Sequence, residues 1–208
     1  MWVATGALAH QEMANKTVVA GSNSNIHLAL VHFPVYNKTG DIVTSSVTTL
    51  DVHDIARICR TFALGTFYVV TPLKAQQELV RRLLQHWVSG FGAEYNPTRK
   101  EALHLASVTN LLQDAVADIT TRTGKKPQTI VTDAKPFPQS VGYEAMRSAL
   151  SPEEQYLIIF GTGWGLDKGV VRKADHVLEP IYGVGTYNHL PVRAAIAVIL
   201  DRLFAPRY

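Results

Sequence analysis

Apolar residues in this chain follow two rhythms, short continuous runs and helical spacing. Residues 26–33 (Ile-His-Leu-Ala-Leu-Val-His-Phe) read as a strand stopped by Pro34. A long polar loop then runs to residue 50, centred on Asn37, Lys38, Thr39, Gly40 and Asp41. Val52, Ile55, Ala56, Cys59 and Phe62 fall on one helical face and predict a helix over 51–62, with Asp51 placed as its N-cap. A buried strand follows at 67–71, stopped by Pro72, then an amphipathic helix at 75–88. Further on, the pattern predicts a strand at 103–108 and a helix at 110–123 closed by Gly124. A strand at 129–132, a helix at 143–150 and a fully apolar strand at 155–160 come next. A last strand begins at Val177 and Leu178, and a helix spans 191–204 with Pro191 in its first turn. Residues 1–25 are weakly patterned and set apart as a flexible lead, with the small polar cluster Gly21–Asn25 at its end. Residues 26–208 read as a single domain.

Strands alternating with helices imply βαβ units, hence an α/β fold with a mostly parallel sheet flanked by helices. In such sheets ligands bind beyond the carboxyl ends of the strands. Three of those ends carry unusual residues: Thr132-Asp133-Ala134, the stretch Phe160-Gly161-Thr162-Gly163-Trp164-Gly165, and residues 179–186.

Composition narrows this picture. Apolar residues are 47% and charged residues 18% of the 208, which suits one well-cored domain and excludes a disordered or fibrous chain. The net charge of +3 and a pI near 9.0 permit a polyanionic partner without requiring one. A lone cysteine, Cys59, excludes an internal disulfide or a cysteine-based zinc cluster and reads as a packing residue. No apolar run approaches a membrane span, and residues 1–25 lack the pattern of a signal peptide, so a cytoplasmic location is expected.

Three segments carry candidate chemistry. In residues 158–166 an apolar strand gives way to glycines at 161, 163 and 165, which allow a sharp turn and close approach of backbone to a ligand. The segment lacks the lysine of a phosphate loop and the spacing of a dinucleotide fingerprint. Residues 178–193 combine Gly, Pro, an acid, two Tyr, Asn and His before a helix start. That composition suits a ligand loop, although Tyr187 and His189 singly fit capping and packing. In residues 51–64, Arg57 and Arg60 share a helical face with Asp54, either as a solvated salt-bridge face or as an arginine aimed at phosphate or hydroxyl.

Taken in chain order, the segments resemble the three motifs of the SPOUT methyltransferases. Asp51-Val52-His53-Asp54-Ile55-Ala56-Arg57, followed by Phe62-Ala63-Leu64 and the strand to Pro72, is similar to the first motif. Residues 158–166 are similar to the second, and residues 181–195 to the third. Residues 160–166 and 187–193 resemble a bacterial subfamily sometimes fused to the tRNA guanine-N1 methyltransferase, and the likeness covers residues 26–204. The resemblance implies a deep C-terminal trefoil knot, bound S-adenosylmethionine, a homodimer with active sites near the subunit interface, and methyl transfer to an RNA, tRNA or rRNA. It implies no metal. Carried onto this sequence, it gives Arg57, Asp51 and Asn188 as catalytic candidates. Its cofactor contacts are Thr132, Asp133, Phe160, Gly161, Thr162, Gly163, Leu178, Ile181, Tyr182, Gly183, Tyr187, Asn188, His189 and Leu190. The motif's usual Asn is Asp51 here, so with Arg57 beside it both base and ribose remain open as acceptors, and Asp51 equally fits a cap alone. Phosphate contacts are expected among Arg81, Arg82, Arg99, Lys100, Lys125, Lys126, Arg172 and Lys173. A second reading, a non-catalytic S-adenosylmethionine-binding regulatory or accessory module, is compatible with Asp51 and the modest charge. A third, an unrelated α/β enzyme binding ATP or NAD, lacks a phosphate-loop lysine.

Overall fold

The apolar runs become the centre of a sheet in the computed structural model, which describes residues 23–185 and 187–206. The strands β1 (Ile26–Val31), β4 (Phe67–Val70) and β8 (Tyr156–Gly161) are buried along nearly their whole length. Strands covered by helices on both faces require this. With β5 (Ala106–Thr109), β6 (Gln128–Val131), β7 (Ser140–Val141) and β9 (His176–Leu178), they form a seven-stranded sheet in the order β5-β4-β1-β8-β6-β9-β7. Every pairing in it is parallel. The expected α/β class and parallel sheet are therefore observed.

Alternation along the strands sends two sets of side chains to two cores. Leu28, Leu30, Phe67, Val69, Ile158 and Phe160 face one core. It is completed by residues of α1 (Thr49–Thr61), α2 (Lys74–Val88), α6 (Tyr143–Ala149) and α8 (Val192–Phe204). Ala29, Val31, Tyr68, Val70, Leu157 and Ile159 face the other, under α5 (Leu112–Thr123) and α7 (Lys168–Lys173). Cys59 is fully buried in the first core, and burial pushes its thiol pKa up, so it packs as the sequence implies.

Several local expectations change. The N-cap of α1 is Thr48, whose hydroxyl accepts from Asp51 N at 3.1 Å; Asp51 sits inside the first turn and is not the cap. The strand expected at 103–108 begins three residues later, because Leu103, fully buried, closes a helix, α4 (Pro97–Leu103). That helix and α3 (Phe91–Tyr95) occupy a stretch the pattern leaves unassigned. The polar loop after β1 contains a hairpin of β2 (Val35–Tyr36) and β3 (Ile42–Val43), turned at Gly40 with φ +87°. Asn23 and Asn25, expected to be flexible, are held: Asn23 Nδ2 donates to Phe62 O at 2.8 Å and Asn25 Nδ2 to Glu154 O at 2.8 Å. Residues 1–22 of the lead lie outside the described residues. Among the described residues no helix is long and apolar enough to cross a membrane, and no group of three or more His, Cys, Asp or Glu could hold a metal ion.

Candidate active site

Because β1, β6, β8 and β9 are parallel neighbours, their carboxyl ends deliver the unusual segments to one edge of the sheet. After β8 the chain turns through Gly163 (φ +59°) and Gly165 (φ +105°), conformations that favour glycine. The hairpin β2–β3 forms one wall of this turn. Trp164 N donates to Tyr36 O and Tyr36 N to Gly165 O, both at 2.9 Å. Tyr36 OH donates to Asp167 Oδ2 at 2.8 Å, which lowers the Asp167 carboxyl pKa. A Cβ on Gly163 would meet Tyr36 O at 3.0 Å, so the approach is close.

A buried polar chain supports the same turn from below. His32, fully buried, places Nδ1 2.9 Å from Ser45 Oγ; Ser45 Oγ lies 2.5 Å from Thr162 Oγ1, and Thr162 donates to Val31 O at 3.0 Å. With Val31 O as the final acceptor, the protons run from His32 through Ser45 to Thr162. That direction leaves His32 Nε2 as a bare acceptor, and it has no partner. Burial holds the His32 pKa down at about 4, with the Asp51 charge opposing weakly.

The loop after β9 lies over the end of β6. Asn188 Nδ2 donates to Ala134 O at 2.8 Å, and the Tyr187 and His189 rings meet edge to face at 5.5 Å. Tyr182, Val184, Tyr187 and Leu190 are all exposed. Among the described residues, no backbone N–H from Ile181 to Leu190 donates to another backbone group. Exposed apolar side chains beside unpaired main-chain donors suit a ligand with a planar heterocycle and hydroxyl groups.

Beside this loop, α8 is tied to α1. Arg193 reaches Asp51 Oδ1 at 3.5 Å and Asp54 Oδ2 at 3.2 Å. Asp51 also accepts from the Thr48 hydroxyl at 2.6 Å. Arg60, three residues from Arg57 on the same helix, is paired with Glu101. Arg57 is exposed, and its side chain has no hydrogen bond or ion pair among the described residues.

The predicted residues thus divide. Gly161, Thr162, Gly163, Ile181, Tyr182, Gly183, Tyr187, Asn188, His189 and Leu190 lie on the turns and loops of the carboxyl edge. Asp133 is there too, accepting from Lys135 N at 2.8 Å. Phe160 and Leu178 keep their side chains in the core, and the Thr132 hydroxyl donates to Ile159 O at 3.1 Å, so these three offer a ligand chiefly main chain. The basic candidates are not gathered. Arg82 pairs with Glu78 and Lys125 with Glu154, while Arg172 and Lys173 sit on α7, across the sheet from Arg99 and Lys100 on α4. Sequence reasoning missed Arg193, His32, Ser45 and Tyr36. The apolar pairs Val35-Tyr36 and Ile42-Val43 around a turn were the available signal for the last.

Residues 25–205 match a family model described as SAM-dependent RNA methyltransferase. The chain is 40% identical over 184 residues to an uncharacterized protein of Aquifex aeolicus (strain VF5), covering 88% of this chain and 90% of that protein. It is 42% identical over 179 residues to the tRNA (guanine-N(1)-)-methyltransferase of Oleidesulfovibrio alaskensis, covering 86% of this chain and 42% of that protein. The chain therefore spans less than half the length of that relative. In fold it is similar to the A. aeolicus TrmH/SpoU tRNA modifying enzyme, with a TM-score of 0.51 at 14% identity over 95% of this chain and 82% of that one.

Proposed function

The chain belongs to a family of S-adenosylmethionine-dependent RNA methyltransferases, and on that footing we propose that it methylates a nucleotide of tRNA or rRNA with the loops after β6, β8 and β9 as its cofactor site. One observation carries the site assignment. The loop Ile181–Leu190 combines exposed apolar side chains with unpaired backbone donors and is fastened over the end of β6 through Asn188. S-adenosylmethionine, when bound, supplies a methyl group already activated on a sulfonium. The protein's task is then mainly positioning.

Main-chain N–H groups of the loop would read the adenine and ribose edges, while Tyr182 and Leu190 cover the ring. Gly161, Thr162 and Gly163 form the opposite lip, held in place from beneath by Ser45 and His32. Arg57, the unpaired cation of α1, would hold the acceptor nucleotide or its phosphate. Asp51 is engaged by Thr48 and Arg193, which suits it to orienting that surface; Asp133 and His189, on exposed loops, are the freer groups to take the proton lost by the acceptor. A tRNA acceptor is favoured by the name of the O. alaskensis relative.

A C-terminal knot and a homodimer belong to the same reading. From β9, near one edge of the sheet, the chain returns to pack α8 against α1 and against β8 at its centre, a return that is compatible with a knot. The test is calorimetry with S-adenosylmethionine, with ATP and NAD as controls, followed by transfer of labelled methyl to bulk tRNA and rRNA. Saturable binding of the first ligand alone, with label entering RNA, is expected. Binding of ATP or NAD in its place would sink the assignment.

A further inference from the structure

The outer surface of the α1–α4 layer carries aromatic side chains for which the fold has no use. Phe91 and Tyr95, one turn apart on α3, are 73% and 77% exposed, and their rings stack at 6.2 Å with an interplanar angle of 20°. They extend a half-buried aromatic group. Trp87, at the end of α2, has the Arg99 guanidinium over its ring at 4.9 Å and meets His53 of α1 edge-on at 5.4 Å. The arrangement depends on Gly92. A Cβ there would meet Trp87 Cε3 at 2.7 Å and His86 Nε2 at 3.0 Å, so only glycine lets α3 lie this tightly on Trp87. His53 is four residues before Arg57 and shares its helical face, so the patch runs from the paired rings to the unpaired cation of α1.

Charge selects the occupant. Arg57, Lys100 and the ring-stacked Arg99 form no ion pair among the described residues, Arg60 and Glu101 neutralise one another, and Glu94 is the acid on α3. A second copy docking here by two-fold symmetry would bring these cations against their own counterparts. A polyanion with exposed planar rings meets no such penalty. Stacking on aromatic faces beside cations is how proteins hold unpaired nucleotides.

We propose that Phe91 and Tyr95, with Trp87 and Arg99 behind them, form a stacking platform for unpaired bases of the RNA substrate, leading single-stranded RNA toward Arg57. This rests on the methyltransferase reading and adds to it the surface and the kind of RNA recognised: a loop, bulge or end rather than a continuous duplex.

The test uses the full chain and two fluorescein-labelled probes, a mixed-sequence single-stranded RNA 12-mer and a blunt RNA duplex of that length. Anisotropy titrations compare the wild type, Phe91→Ala/Tyr95→Ala and Tyr95→Phe, with S-adenosylmethionine calorimetry and sedimentation on the same samples. Both rings are exposed, so the variants should fold. The wild type should prefer the single strand. The double alanine variant should lose about tenfold or more of that affinity with cofactor binding unchanged, and Tyr95→Phe should keep it. Single-strand affinity within twofold of wild type in the double variant overturns the platform. If that variant instead drops to a lighter sedimenting species with RNA affinity intact, the surface belongs to a second copy. A wild type that binds the cofactor but neither RNA overturns the platform and the RNA assignment together. One that binds RNA but no cofactor leaves the platform standing and sinks the methyltransferase reading alone.

Discussion

Arg57 differs from its neighbours by what it lacks. Arg60 has Glu101 and Arg193 has Asp51 and Asp54, while Arg57 has no carboxylate partner among the described residues. A cation left unpaired in this way is available to a phosphate or a hydroxyl. Arg57→Ala should lower methyl transfer by about a hundredfold or more, the usual scale for removing a charge-stabilising donor. Calorimetric affinity for S-adenosylmethionine should stay within about twofold of wild type, because the loops that would hold it are untouched. Equal turnover in the mutant would return Arg57 to the solvated surface. His32 makes a prediction of a different kind. Its pKa is about 4 in the fold and 6.5 in the unfolded chain, so between those values the unfolded state binds more protons. Stability is therefore full above 6.5 and is lost as pH falls toward 4, by about 2 kcal/mol between pH 7 and pH 5. Urea unfolding should show a smaller drop over that range for His32→Asn than for wild type. Parallel slopes in the two proteins would contradict the buried neutral imidazole.

Among the elements, the turn after β8 is tightly constrained. A Cβ on Gly161 would lie 2.8 Å from Leu166 Cγ and 3.0 Å from its backbone N, so the turn itself must move to admit it. Gly161→Ala should cost about 1–3 kcal/mol of stability, the range for overpacking. Cofactor affinity should fall by about tenfold or more, because the lip of the site is displaced. A mutant destabilised to that extent with cofactor affinity intact would place the ligand elsewhere. The same scale separates what sequence pattern could reach. The long amphipathic helices and the continuous strands were legible because many residues vote for one period. The hairpin and α3 have two to five residues in each element, too few for a period, and α4 carries seven residues beside a strand-like apolar run that biased its reading. Thr48 outcompeted Asp51 as cap because its hydroxyl reaches the Asp51 N–H, a matter of backbone geometry rather than of composition.

For the whole molecule, the parallel sheet gathers the candidate site segments at one edge, and the helical layer carries the surface proposed for RNA. Contact through phosphates releases counterions, so RNA affinity should fall by about tenfold or more between 50 and 200 mM salt. A flat response would remove the basic surface from the binding account. Sedimentation should give a mass twice that of the 22.9 kDa chain if the expected homodimer forms. A chain that sediments as one copy while transferring methyl groups would show that a site built within one protomer suffices.

By itself the sequence determined the alternation of strand and helix and the three motif segments, because periodicity and glycine placement are properties of neighbouring residues. It marked Arg57, Asp51 and the Gly161 turn by type and order alone. The tertiary structure decided which of these groups are free. Pairing at long range gave Asp51 and Asp54 to Arg193, Thr162 to Ser45 and His32, and Tyr36 to the turn after β8. Those partners lie between 13 and 142 residues apart along the chain. No local pattern encodes such distances, and only the order of strands in the sheet brings the groups together.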